Sequence, residues 1–573
     1  MGSNNFRISL LIFLFFVLAA TIVGRLFYIQ IIKHDEYKKL ADLEHIRKSK
    51  LLAERGRIFF SDGQTLLAEN KGMRKVYIAP REIKDPQKTS KILANLLELD
   101  EKKVFEKISN KEDPWIFLKE IPATEAEKIK NINGVHFEMN FEREYPQREI
   151  ASHVVGFCNK ENKGQYGLEE YYQEELRGKD GFREGIVDAR GREIFSSFNK
   201  IQDPIDGDDL VLTLDYNIQF FVEEKLNESV KKYGADGGTI IVSDPKTGEI
   251  LAMASRGPSN KPKFDPNNFP KFEMEEYKNP AISIPFEPGS VFKPITMAGA
   301  LEEGVVTPDT TYIDKGEVRI GSHIIRNADL KAHGRKTMTE VLELSLNTGA
   351  VFVEEKLGRE KFIEYVKKFG FGKKTGIDLA GEVPGSISNI LYPKSKEKKI
   401  EYANASFGQG IAVTPIQIVA AFSAIANQGK MVRPHVVKKI IHPDKTEEEI
   451  QPETLGQVIS PQTASYLTAM MVSVVKKGYG KKAGVDGYLI AGKTGTAQVP
   501  DIKKGGYLPD KTIHSFVGFA PAFDPQFLIF LKLDNPHGVR FSSDSLAPVF
   551  HDIAQYLFSY LGIPPEKEDN QQR

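Results

Sequence analysis

The sequence predicts a multidomain chain: a single N-terminal transmembrane helix, an α+β module, then a larger α/β domain. Three observations carry that expectation. One apolar run, Ile8 to Ile32, is long enough to span hydrocarbon as a helix. Residues 75 to 200 mix short strand-like runs with charged, helix-like ones. From about Leu210 onward, strand-like segments bracket a long helical middle, so one sheet must be assembled from segments distant in sequence.

The length of 573 residues suits two to four domains. Lys plus Arg equals Asp plus Glu at 78 each, and a net charge of zero argues against a nucleic-acid partner. The single cysteine, Cys158, can form no intramolecular disulfide and no zinc cage, and reads as a small core residue. The eleven histidines include no pair four apart, so no helical metal site is expected.

The anchor comes first. Ile8 to Gly24 is almost purely apolar, Arg25 interrupts, and Leu26 to Ile32 continues apolar apart from Gln30. Arg25 can snorkel to the interface beside Tyr28. The rival reading is a cleaved signal peptide. The run exceeds a usual signal core and continues past Arg25, which favours a retained single-pass anchor. Arg7 and the amino terminus favour the cytoplasm for residues 1–7, although Lys33, Lys38 and Lys39 blunt that rule. Residues 33 onward are then expected on the extracytoplasmic face.

Asp35 to Lys50 reads as a charged helix, and Arg55 to Phe59 as a strand before a turn at Ser61-Asp62-Gly63. Thr89 to Leu99 and Thr124 to Ile132 read as charged helices. Residues 33–209 hold no catalytic constellation and are expected to be a pedestal or interaction module. The texture changes at Asp206-Gly207. Leu210 to Leu214 reads as a strand and Asn217 to Lys231 as an amphipathic helix. Gly238 to Asp244 and Glu249 to Ala254 read as strands joined by a turn at Pro245-Lys246-Thr247-Gly248. Strands return at Tyr488 to Ala491, His514 to Phe519 and Phe527 to Leu533. The catalytic domain is expected over 210–565, and a disordered polar tail over 566–573.

A serine needs a base to act as a nucleophile near neutral pH. Ser-x-x-Lys at a helix start supplies one: the i, i+3 spacing puts both side chains on one face, and burial lowers the lysine pKa. The pattern occurs six times, at Ser197, Ser229, Ser243, Ser290, Ser395 and Ser473, and any one alone reads as a solvated pair. Ser243 lies in a predicted strand and Ser395 in a lysine-rich loop. Ser290 follows the turn Glu287-Pro288-Gly289 and opens the helix-like run Val291 to Leu301, placing Lys293 beneath it.

Two further elements suit this chemistry. Ser345-Leu346-Asn347 offers a hydroxyl that could relay a proton and an amide that could hold a peptide group; the same pattern at Ser3 and Ser197 is badly placed. Lys-Thr-Gly occurs three times. Lys246 lies in the hairpin turn, and Lys374 in the glycine-rich loop Gly370 to Gly381. Lys493-Thr494-Gly495 alone has strand context, where the lysine and hydroxyls could bind a carboxylate and the glycine permits close approach. An edge-strand lysine that discourages aggregation is the plainer alternative. The chain order Ser290, Ser345, Lys493 weighs against it.

These motifs resemble those of the penicillin-recognising serine enzymes. Their flanks are similar to class B penicillin-binding proteins, the monofunctional transpeptidases of bacterial wall synthesis. The matching stretches are 286–296, 345–352, 407–417, 488–499 and 514–525, with 55–59 and 164–181 resembling the non-catalytic module. Phe60-Ser61-Asp62-Gly63 stands where the family usually has Asp-Arg-Asn-Gly, and Asn279-Pro280-Ala281 where an arginine is common; both concern loop packing. Residues 470–498 look closer to the division type than to the elongation type.

The resemblance implies a β-lactamase-like domain with a central antiparallel sheet flanked by helices. It implies that Ser290 attacks the penultimate D-alanine carbonyl of a stem peptide with Lys293 as base. Ser345 would relay the proton to the leaving D-alanine, assisted by Lys493. Asn347 would bind the donor peptide, Thr494 and Thr496 its terminal carboxylate, and Gly495 would keep the strand close. The N–H groups of Ser290 and Thr496 would form the oxyanion hole. An amine of a neighbouring stem peptide would accept the acyl group, β-lactams would acylate Ser290, and no metal or organic cofactor is implied. Expected partners are the membrane, a membrane glycosyltransferase and other division proteins.

Four alternatives differ in class. A class A β-lactamase uses Glu-x-x-x-Asn after Ser-x-Asn, and none occurs beyond Asn347. A β-lactam sensor needs a cytoplasmic effector, where about seven residues precede the anchor. A D,D-carboxypeptidase differs only in its acceptor, and a scaffold role remains open for residues 33–209.

Overall fold

The apolar N-terminal run forms helix α1 (Gly2–Phe27), continued by a π-helical turn over Tyr28–Ile32, in the computed structural model, which describes residues 2–38, 46–186, 200–394, 399–501 and 504–566. Asn5–Ile32 is long and apolar enough to cross a membrane, and its side chains are exposed. The Arg25 guanidinium lies 5.4 Å from the Tyr28 ring centroid.

The chain packs as two compact units, residues 1–54 with 178–206 and residues 55–177 with 207–573. In the first, the helix expected over Asp35 to Lys50 is not formed as such. Residues 34–38 are helical, but Ile46–Leu51 is a strand paired antiparallel with Gly181–Ile186. The sequence Ile46 to Leu51 has apolar residues only at its two ends, so a helix there would have no apolar stripe to bury. Residues 39–45 lie outside the described residues, as do the expected tail beyond 566 and the Ser-x-x-Lys patterns beginning at Ser197 and Ser395.

The second unit contains two sheets that matter to the site. In a seven-stranded sheet, Asp209–Leu212 pairs parallel with Ile58–Phe59 and antiparallel with Val437–Ile441, so early and late chain segments share one ladder. Leu66–Ile78 continues it and pairs with both Ile116–Pro122 and Val135–Glu144. The helix expected over Thr89 to Leu99 is Pro86–Leu97, capped by the Asp85 carboxylate on Lys88 N–H. The one expected over Thr124 to Ile132 shrinks to Ala123–Ala126; only Ala126 and Ile129 of that stretch are buried, too few for an apolar face.

Beneath this sheet lies a fully buried ionic cluster. Glu169 Oε2 accepts from Arg55 Nε at 2.6 Å, and Glu169 Oε1 accepts from Arg143 Nε at 2.8 Å and from Tyr145 O–H at 3.1 Å. Burial alone would raise the Glu169 pKa, but the two guanidinium groups overcome it and hold it at about 2. Cys158 is buried beside this cluster, its Sγ 3.4 Å from Glu169 Oε2.

Helix α2 (Tyr216–Tyr233) starts at the Asp215 cap, whose carboxylate accepts from Asn217 and Ile218 N–H. It leads into β1 (Gly237–Ser243) and β2 (Ile250–Arg256), the predicted hairpin. The long middle contributes α3 (Lys293–Glu302), α4 (Asn347–Leu357), α5 (Pro415–Ala426) and α6 (Pro461–Lys476). Then come β3 (Ala491–Pro500), β4 (Tyr507–Ala520), β5 (Phe527–Asp534) and α7 (Ala547–Tyr560).

These strands form a five-stranded, wholly antiparallel sheet in the order β2-β1-β5-β4-β3. The two ends of the domain therefore meet at its centre, as the bracketing pattern predicts. Alternation decides the faces: Ile240, Val242 and Leu531 join the core with α2 and α7, while Ile241 and Phe530 join the core with α3, α5 and α6. Helix α5, PIQIVAAFSAIA, is buried on all sides, which is what an all-round apolar helix requires.

Candidate active site

Ser290 sits in a 3-10 turn, Gly289–Phe292, and α3 begins at Lys293. The turn is held from behind by the loop 406–413. Gly289 N–H donates to Gly408 O at 3.0 Å, and Phe286 and Val413 exchange two backbone hydrogen bonds of 2.9 Å. Thr296 O–H donates to Ser406 O at 2.8 Å. The Glu287 carboxylate accepts from Gly410 N–H and from Tyr507 O–H, each at 3.0 Å. Burial raises the Glu287 pKa, and those two donors oppose the rise.

Two glycines allow this packing. Gly408 has φ +81°, and a Cβ there would stand 2.2 Å from Gly289 O. Gly495 lies in β3 against the nucleophile turn, where a Cβ would stand 2.3 Å from Ser515 Oγ and 2.8 Å from Val291 Cγ1.

Lys493 lies inside β3, five-stranded-sheet edge residue by position yet fully buried. The strand starts at Ala491, so the expected strand over Tyr488 to Ala491 is displaced C-terminally and carries the motif itself. Ser345 occupies the turn between the helix Met338–Glu343 and α4, in the left-handed region at φ +55°. For a non-glycine residue that conformation is strained and has to be imposed by its surroundings. Part of that imposition comes from Asp314. It accepts from Thr348 O–H at 2.8 Å and from Asn327 Nδ2 at 2.9 Å, fixing the start of α4.

The three motifs converge at Ser345. Lys493 Nζ is 2.9 Å from Ser345 Oγ, and Lys293 Nζ is 3.2 Å from the same atom while also donating to Ser345 O. Both lysines are buried. Burial, and then the neighbouring Lys493 charge, push the Lys293 pKa well below its usual value. Burial pushes Lys493 down to about 7.

A cavity of about 270 Å³ opens over this group, lined by Ser290, Ser345, Thr494, Thr496, Tyr479 and Phe541 among others. Asn347 is not among the residues lining this cavity, and its Nδ2 donates to Arg326 O at 2.8 Å. The other Lys-Thr-Gly runs lie elsewhere: Thr247 N-terminal to the β2 strand in a hairpin turn, Thr375 bound to the Glu382 carboxylate. A second cavity of about 230 Å³, beside Glu223, Arg256 and Lys532, contains none of the predicted residues.

Sequence reasoning missed Glu287 and the Asp314 network. It also missed the residues behind Thr496. Ser542 N–H donates to Thr496 Oγ1 at 3.2 Å, and the buried His514 shares a 2.8 Å hydrogen bond through Nδ1 with Ser545 Oγ. The serine-rich start of the segment Ser542–Ser545 was the available signal.

Comparison with known proteins gives the following. The family model for the penicillin binding protein transpeptidase domain matches residues 238–555, and that for the penicillin-binding protein dimerisation domain matches residues 50–212. The chain is 37% identical to stage V sporulation protein D of Bacillus subtilis, over 97% of this chain and 86% of that protein. It is 31% identical to the peptidoglycan D,D-transpeptidase FtsI of Escherichia coli, over 98% of this chain and 93% of that protein. Among solved structures it is similar to penicillin binding protein 3 of Mycobacterium tuberculosis in complex with aztreonam. That likeness has a TM-score of 0.70 and 28% identity, covering 91% of this chain and 98% of that one. Penicillin binding protein 2X of Streptococcus thermophilus gives a TM-score of 0.78 at 25% identity, covering 90% and 80%.

Proposed function

This chain belongs to the class B penicillin-binding proteins, the peptidoglycan D,D-transpeptidases, and from that premise we propose how its residues divide the work. Ser290 attacks the penultimate D-alanine carbonyl of a stem peptide, and Lys293 takes its proton. Ser345 passes a proton to the departing D-alanine, with Lys493 supplying or holding it. Thr494 and Thr496 bind the terminal carboxylate, Gly495 keeps β3 against the nucleophile turn, and Asn347 binds the donor peptide after release from Arg326 O. The Ser290 and Thr496 N–H groups receive the developing oxyanion. A stem-peptide amine then takes the acyl group from Ser290, which forms the cross-link and frees the serine.

The observation that carries this reading is the meeting of two buried, pKa-depressed lysines at one hydroxyl under the Ser290 cavity. An ordinary lysine is fully charged at pH 7 and cannot act as a base. A lysine stripped of solvent beside a second cation can.

The chain is proposed to cross the bacterial cytoplasmic membrane once, with residues 1–7 inside, 8–32 spanning, and the pedestal 33–209 and catalytic domain 210–565 outside. We assign it to septal wall synthesis. The similarity to FtsI and to stage V sporulation protein D is consistent with that assignment. A membrane glycosyltransferase and other division proteins are its proposed partners, with the pedestal as the docking module.

Intact-protein mass spectrometry after incubation with a labelled penicillin tests the chemistry. A stable adduct is expected on the wild type, mapped to the Ser290 peptide, and none on Ser290→Ala. Rapid hydrolysis of the penicillin without an adduct would point to a β-lactamase instead.

A further inference from the structure

The geometry points to a positioning device beside the carboxylate site: the Ser542–Ser545 turn fixes Thr496 as a hydrogen-bond donor toward the anionic end of the donor peptide. The inference rests on the proposed role of Thr496 in binding that carboxylate.

A hydroxyl has one hydrogen to give and two lone pairs to receive with. Left alone, the Thr496 rotor can point its hydrogen at any nearby acceptor. Here Ser542 N–H donates to Thr496 Oγ1 at 3.2 Å. That bond occupies one lone pair at the wall of the cavity, which Ser542 also lines, and leaves the hydrogen free to be donated. A carboxylate only accepts, so a hydroxyl oriented in advance as a donor matches it. An oriented donor also avoids the entropy of ordering the rotor at binding.

The turn has to be held in place for this to work, and His514 holds it. His514 on β4 is the register partner of Thr496 on β3, so their side chains share one face of the sheet. The His514 imidazole is fully buried, and its Nδ1 is 2.8 Å from Ser545 Oγ. Ser542 and Ser545 are themselves buried, at 1% and 0% exposure, so the turn is packed down on the sheet rather than hanging over it. Burial lowers the His514 pKa to about 4, so the ring is neutral near pH 7 and its Nδ1 is able to accept the Ser545 hydrogen.

Ser542 is the first helical residue of its turn, after Phe541 in an extended conformation at φ −129° and ψ 150°. Proline is tolerated at that position and after such a residue. Ser542→Pro therefore deletes the N–H at a backbone position that accepts proline, and because the site is buried the variant is checked for folding. The readout is the ratio of second-order acylation rate constants for a penicillin with a free carboxylate and for its methyl ester. Wild type, Ser542→Pro, Thr496→Val and the double variant are compared.

Thr496→Val is expected to lower the ratio, and Ser542→Pro to lower it about tenfold, the worth of one charge-assisted hydrogen bond. The double variant should fall no further than Thr496→Val, because both changes act through one hydroxyl. An unchanged ratio in Ser542→Pro, or fully additive losses, overturns the inference while leaving the Thr496 role intact. An unchanged ratio in Thr496→Val removes the Thr496 role itself. If Ser542→Pro does not fold by circular dichroism, Ser545→Ala decides: a lowered ratio supports the device, and a wild-type ratio overturns it.

Discussion

Gly408 and Gly410 have nearly the same backbone conformation, φ +81° and +75°, but different neighbours. Alanine at either site pays for a left-handed conformation, about 1–2 kcal/mol. At Gly410 that is the whole cost, because the nearest atom to a new Cβ is Asn389 Nδ2 at 3.9 Å. At Gly408 the Cβ would stand 2.2 Å from Gly289 O and 2.6 Å from Gly289 N. Carbon and oxygen rest about 3.3–3.6 Å apart, so the loop and the nucleophile turn must separate by about 1 Å. A 1 Å misplacement of a reacting group costs on the order of 100-fold in rate. Both variants are therefore expected to lose stability in urea, Gly408→Ala more than Gly410→Ala because only it also meets the clash. Acylation by a fluorescent penicillin, followed by stopped flow, should fall about 100-fold in Gly408→Ala and stay near the wild-type rate in Gly410→Ala. Equal acylation rates in the two variants would refute the claim that loop 406–413 sets the position of Ser290.

The buried charges at Glu169 and at Lys293 each give testable outcomes. Glu169→Ala leaves Arg55 and Arg143 buried without their carboxylate and should cost about 3–5 kcal/mol, read from urea unfolding. The Glu169 pKa is depressed from 4.5 to about 2, so its stabilisation is complete above pH 4.5 and lost as pH falls towards 2. Wild type and Glu169→Ala should therefore converge in stability across that window, and parallel curves would remove Glu169 from the account. Acylation should lose rate as pH falls and Lys293 becomes protonated, with the limb well below the usual lysine value. Lys493→Met removes a positive charge that helps hold Lys293 down, so the limb should move to higher pH. A limb that stays put or moves lower contradicts that coupling.

Local signals were legible where one residue type decides one geometry. Glu287-Pro288-Gly289 marked the turn before Ser290, and two apolar runs joined by Pro245-Lys246-Thr247-Gly248 the β1–β2 hairpin. The errors came where apolar character was read without its partner. Tyr488 to Ile490 looks like a strand, yet it packs as coil: Tyr488 stacks on Phe558 at 3.5 Å and Ile490 is buried. The strand proper starts at Ala491. The Glu169 cluster was illegible for another reason. Its partners lie 114 and 26 residues away, and nothing in the run Gly167 to Tyr171 distinguishes a buried glutamate from a solvated one. The order Ser290, Ser345, Lys493 did identify three motifs that meet in space. It could not show that Ser345 adopts φ +55°, because the Asp314 network that contributes to fixing the start of α4 comes from a separate hairpin region.

That strained serine has a chemical consequence within the proposed mechanism. Ser345 Oγ lies within hydrogen-bond reach of both Lys293 and Lys493 Nζ. Two ammonium groups could satisfy both contacts only by donating to the same oxygen, with two cations side by side in a site without solvent, which is costly. Once one amine is neutral it can accept the Ser345 hydrogen while the other donates, and the contacts become complementary. A proton taken from Ser290 by Lys293 can then reach Ser345 without crossing water, and Ser345 can deliver one to the departing amine as Lys493 replaces it. The same chain run in reverse would deprotonate the incoming stem-peptide amine, so one set of residues serves both halves of acyl transfer.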